Sequence, residues 1–125
     1  MEQMADIIIN STVPFVIGRS FDTRDAKIKQ NAEATADMKA GTLLAPDADG
    51  KLEPCVSGDS PTYPVAVLIA DVAKADLIAG DVTTGVVFNA MVNKAYVATV
   101  NSGLTIDETF IWEAIKNGLD IREMV

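Results

Sequence analysis

The stretch from Leu43 to Val72 most constrains the fold of this 125-residue chain. Leu43, Leu44 and Ala45 run into Pro46, Asp47, Ala48, Asp49 and Gly50, and the chain resumes at Lys51, Leu52 and Glu53. Asp-Gly after a Pro-containing polar tract is a turn signal with a cause, since Gly takes positive φ and Asp hydrogen-bonds its local backbone. A second break, Ser57 to Pro64, contains Gly58, Pro61 and Pro64. It leads into Val65, Ala66, Val67, Leu68, Ile69 and Ala70, a short apolar run of the kind expected of a strand buried on both faces. The pattern predicts a hairpin feeding the central strand of a small β domain.

Around this stretch, Ala73 to Ala79 reads as a small-residue loop and Gly80-Asp81 as a turn. Val82 to Phe88 reads as a strand with Val82, Val86 and Phe88 inward, and Gly85 marks a bulge or a close backbone approach. Asn89 to Val100 fits either a short helix or a loop. Thr105 and Glu108 have capping-box spacing for a C-terminal helix. Ile106, Phe110, Ala114 and Ile115 share a face at helical period, and Gly118 stops the helix. Leu119 and Ile121 begin a last strand. The expected fold is mainly β with one C-terminal helix, residues 38–125 forming the domain.

Residues 1–37 are different in character. Ile7, Ile8 and Ile9, then Val13, Pro14, Phe15, Val16 and Ile17, are apolar islands separated by Asn10, Ser11 and Thr12. Pro14 lacks a backbone N–H, which restricts the segment to an edge strand or an extended arm. Two expectations follow: an adhesive arm that orders on a partner, or an N-terminal strand closing the domain's own sheet.

Composition narrows the chemistry. A net charge of −8 with ten scattered basic residues argues against nucleic acid as a partner. No apolar run approaches the roughly 20 residues of a membrane helix. Histidine is absent and Cys55 is the single cysteine, so the commonest general base, a disulfide and a multi-cysteine metal site are all excluded. Cys55 reads as a small, partly buried residue. Asp47 with Asp49, and Asp71 with Asp76 around Lys74, could serve as acid/base or Ca²⁺ pairs, but solvated and turn-forming roles suit them better. Trp112 lies off the main face of the C-terminal helix, open to partial core burial or to a subunit contact. No catalytic, cofactor or metal site is expected.

Lys39-Ala40-Gly41-Thr42-Leu43-Leu44, Asp49-Gly50-Lys51-Leu52-Glu53-Pro54 and Pro64-Val65-Ala66-Val67-Leu68-Ile69-Ala70-Asp71-Val72, in that order, resemble the head decoration proteins of lambda-like tailed bacteriophages. Phe88-Asn89 and the helix ending at Gly118 continue the likeness, which spans about residues 15 to 125. Pro64-Val65 stands where the family usually has Gly. The resemblance implies a β-clip or β-tulip domain with an extended N-terminal arm, attached as a homotrimer to the outside of the expanded capsid in the virion. There it would cement major capsid protein subunits, with no catalysis, cofactor, nucleic acid or membrane involved. On this reading Ile7 to Ile9 and Val13 to Ile17 dock on the major capsid protein. The alternative is a small β-rich ligand-binding or adaptor module, with the Asp47–Gly50 turn lining its pocket.

Overall fold

A computed structural model of the chain describes residues 15–17 and 22–123. Within them the protein is mainly β with a few short helices, built on a closed five-stranded barrel and a separate three-stranded sheet. In chain order the elements are β1 (Val16–Ile17), β2 (Asp22–Ile28), β3 (Leu43–Pro46), β4 (Leu52–Pro54), β5 (Ala66–Leu68), α1 (Lys74–Ala79), β6 (Val82–Phe88), β7 (Ala90–Asn93), α2 (Lys94–Val100), α3 (Glu108–Lys116) and β8 (Leu119–Arg122). The barrel order is β2-β4-β3-β5-β6, and β1-β7-β8 form the sheet.

The expected hairpin is β3–β4, with Leu44 opposite Pro54 and Pro46 opposite Leu52. Gly50 takes φ +82° in its turn. The Asp47 carboxylate accepts from the Asp49 and Lys51 N–H groups at 2.8 and 2.9 Å, which is the local bonding that favours Asp there. β5 is central, flanked by β3 and β6, and Ala66, Val67 and Leu68 are all buried.

Strand alternation explains why a three-residue strand is buried on both sides. Leu44, Ala66, Leu68 and Val86 point into the barrel with Ile28 and Leu52. Leu43, Val67 and Val87, one residue out of phase, face a second core with Phe15, Val92, Val97, Phe110, Leu119 and Ile121. The β3-β5-β6 wall therefore serves two cores, and a register slip of one residue would exchange them.

Several expectations are corrected. Lys74–Ala79 is a helix rather than a loop, because Leu77 anchors it against the barrel core and Asn31 donates from its N–H to the Leu77 carbonyl. Tertiary burial thus overrides a weak local pattern. Gly85 makes no bulge: the β2–β6 register is unbroken from Asp22 opposite Phe88 to Ile28 opposite Val82. Val87 is buried more completely than Val82 or Phe88, because the second core covers its face.

Asn89 to Val100 is a strand followed by a helix. Asn89, at φ +52°, turns the chain out of the barrel into β7, and the Asn93 side chain caps α2 by accepting from the Ala95 N–H at 3.0 Å. The fold accordingly has three described helices rather than one. The C-terminal helix is present, but its cap is Asp107, which accepts from the Phe110 N–H at 2.9 Å. Thr105 lies outside it and donates from its N–H to the Ser57 hydroxyl. Phe110 and Ala114 are buried as expected, Ile115 is exposed, and Gly118 ends the helix at φ +95°.

The division at residue 37 also shifts. Asp22–Ile28 is the barrel's longest pairing partner for β6, and Ile28 is fully buried, so residues from 22 onward belong to the domain. Val16 and Ile17 pair with Val92 and Met91 of β7, completing the domain's own sheet.

Candidate functional site

The acidic pairs serve structure. Both ends of the β3–β4 turn hold the Asp47 side chain, only 8% exposed, with Lys29 Nζ 3.6 Å from Oδ2. This corrects the solvated role expected for it. Burial alone would raise its pKa, but the N–H groups of Lys51 and Asp49, with Lys29, outweigh that and hold the carboxylate below its ordinary range. Asp49 is exposed in the same turn.

Asp71 accepts from the Ala40 N–H at 2.7 Å and lies 3.5 Å from Lys39 Nζ, and its pKa is lowered chiefly by that backbone bond. Asp76 sits in the first turn of α1, where the helix dipole favours a negative charge. Lys74 donates its backbone N–H to Asp37. Asp71 and Asp37 thus each fasten a different segment. Among the described residues no cluster of three His, Cys, Asp or Glu side chains is placed to hold a metal ion. Cys55 is half-buried against the second core, and burial pushes its thiol up to about 12, the wrong direction for a reactive thiolate.

The predicted arm residues divide. Phe15 is fully buried, with its ring 5.4 Å from that of Tyr96, and its carbonyl accepts from the Asn93 N–H. Val16 is buried beside it and Ile17 is half-buried. This corrects the expectation that Phe15 and Val16 dock on another protein: both side chains belong to the second core. Ile7, Ile8, Ile9, Val13 and Pro14 lie outside the described residues.

Trp112 is the residue most available for recognition. Its side chain is 63% exposed, which corrects the expectation of core burial. The cause is the phase of α3: Phe110 and Ala114 point into the second core, and Trp112 falls on the opposite side. Ile115, three residues on, is 39% exposed on the same side. Glu108 and Lys116 lie one turn either way, and the Lys116 ammonium is 2.6 Å from Glu113. An exposed tryptophan beside an exposed isoleucine, bordered by charges, has the composition of an interface anchor. The helical period of Phe110 and Ala114 puts Trp112 off the buried face, and the packing of α3 on the second core then leaves it in solvent.

Two concave regions lie elsewhere. A groove of about 590 Å³ runs between the Thr35–Lys39 segment, Cys55–Ser57 and the Asn101–Leu104 turn. A smaller cavity of about 310 Å³ opens at the barrel beside Arg24 and Phe88, with Gly50 on its rim. Gly50 was expected to line a pocket as part of the Asp47–Gly50 turn. Asp47 is instead engaged with Lys29.

No helix among the described residues is long and apolar enough to cross a membrane. Comparison of the chain with protein-family profiles, with curated proteins and with solved structures finds no match.

Proposed function

We propose that the protein is a structural component of a bacteriophage head: a homotrimeric decoration protein on the outside of the expanded capsid, cementing major capsid protein subunits against the pressure of packaged DNA. The order and spacing of the segments from Lys39 to Val72, Phe88-Asn89 and the helix ending at Gly118 resemble that family, and they supply the partner. The finer fold assignment, β-clip or β-tulip, belongs to the same proposal. The observation that carries a protein-binding role is the exposed Trp112–Ile115 face of α3. Trp112, at 63%, is the most exposed large hydrophobic side chain among the described residues, whereas Phe15 and Phe110 are buried. Trp112 is assigned to a subunit contact, and residues 1–14, which include Ile7 to Ile9, Val13 and Pro14, to strand addition on the major capsid protein.

The test is co-sedimentation with compact precursor shells and with expanded shells of the source virus. Saturable binding to expanded shells alone, at one trimer per three-fold position, is the expected result. Trp112→Ala should weaken it by about tenfold or more while changing stability by less than about 1 kcal/mol. Removing residues 1–14 should weaken it further. Binding to neither kind of shell would overturn the proposal. The cavity beside Arg24 favours a second reading, a small ligand-binding module.

A further inference from the structure

The barrel is most thinly paired at the seam between β2 and β4. β2 and β4 share one register pair, Ile28 opposite Leu52, whereas β2 and β6 share seven. Along the rest of β2 the side facing β4 is unpaired among the described residues. The cavity of about 310 Å³ lies beside this seam. Leu52, Ala66 and Val86 form its buried floor, and Ala26, Val65 and Phe88 its half-buried walls.

Arg24 is the cation at this mouth. It has the same strand phase as Ala26 and Ile28, whose side chains belong to the barrel core. A charge at an inward-phase position is expected to find a partner or to escape to water. Its guanidinium carbon lies 4.3 Å from the centroid of the Phe88 ring. Among the described residues no carboxylate lies within ion-pair distance of it. Stacking on Phe88 engages the face of the planar cation, and no ion pair among the described residues engages its N–H edge.

We infer that this mouth is a binding site for a small carboxylic acid with a compact apolar body, an aromatic ring or a short branched chain. The carboxylate would accept from the edge of Arg24, and the body would rest on Ala66, Val86 and Phe88. The volume is at the lower end of small-ligand sites, which excludes long-chain lipids and favours a single ring. Guanidinium matches carboxylate in geometry, and an apolar floor disfavours a small hydrated anion such as phosphate. The site is independent of the capsid proposal, since it needs no shell and does not use Trp112.

The experiment is a titration of ¹⁵N-labelled full-length protein with 3-phenylpropionate, with 3-phenylpropanol as the uncharged match, followed by amide chemical shifts. The expected result is saturable shifts centred on Gly50, Ala26, Ala66 and Val86. A ligand of this size should give a Kd of about 0.1–1 mM. The alcohol and the Arg24→Gln variant should each bind about tenfold or more weakly, while Arg24→Lys recovers part of the affinity. Ala26→Leu, which narrows the mouth without touching the charge, should also abolish the shifts. Equal binding of acid and alcohol, unchanged affinity in Arg24→Gln, or shifts centred outside this mouth would overturn the inference.

Discussion

Asn101 joins the two halves of the molecule, and its replacement is the most discriminating test of the packing described here. It follows α2, and its side-chain amide donates to the carbonyls of Gly41 at 3.0 Å and Val97 at 2.6 Å. Its Oδ1 accepts from the Leu43 N–H at 3.0 Å. Leu43 is fully buried, so Asn101→Ala leaves that N–H without its acceptor as well as deleting two donors. An orphaned buried donor costs about 1–3 kcal/mol and each lost hydrogen bond about 0.5–1.5 kcal/mol, which places the total at about 2–4 kcal/mol after overlap. For a domain of this size that lowers Tm by roughly 10 °C. Asn101→Asp is the sharper variant. It keeps the acceptor for Leu43 but turns an oxygen on two carbonyls, so the ionised form should be less stable than the alanine variant. Those carbonyls raise the folded-state pKa of the new carboxyl above its unfolded value. The deficit relative to the parent protein should therefore be smallest below about pH 4 and grow as pH rises through the raised pKa. Urea unfolding followed by far-UV circular dichroism, from pH 3.5 to 7.5, reads both effects. A loss below about 0.5 kcal/mol for Asn101→Ala, or a pH-independent deficit for Asn101→Asp, would refute the assignment of Asn101 as the tie between α2 and β3.

Three further outcomes are expected. At Gly118 a Cβ would lie 2.5 Å from Asn89 Oδ1 and the backbone is at φ +95°, so Gly118→Ala should cost more than the roughly 1 kcal/mol of a left-handed site, and Asn89→Gly should recover part of it; additive losses by thermal unfolding would contradict the contact. Asp47, Asp71 and Asp81 have pKa values lowered from 3.8, Asp81 mainly by Lys51 at 2.8 Å, so the stability they contribute is present above that pH and is lost as pH falls through the lowered values. Asp81→Asn should flatten this acid limb in a pH series of denaturation midpoints, and an unchanged limb would count against the pair. With its thiol pushed up to about 12, Cys55 should react with a disulfide reagent at pH 8 many times more slowly in native protein than in urea, and equal rates would show that it is not shielded.

Much of the barrel was legible in the linear chain because its signals are local. Pro46 to Gly50 mark a turn by their backbone preferences, Val82–Phe88 announces a strand by β-branched residues, and Gly118 ends a helix because positive φ suits it. The length of β2 was not legible. Asp22, Thr23, Arg24, Asp25 and Lys27 are polar, and only pairing along all of β6 makes them a strand. α1 likewise exists because Leu77 finds the barrel core. The candidate site follows the same division. The residue type of Trp112 was visible, but its exposure depended on which side of α3 met the second core.

The sequence by itself therefore determined the β class, the β3–β4 hairpin, the buried central strand and the closing helix and strand, since turn chemistry and short-range periodicity act within a few residues. The tertiary structure alone decided that β2 closes the barrel against β6, that Phe15 and Val16 belong to the core, and that Arg24 stands at an apolar mouth. Those outcomes depend on contacts between residues tens of positions apart, whose free energy no local pattern carries.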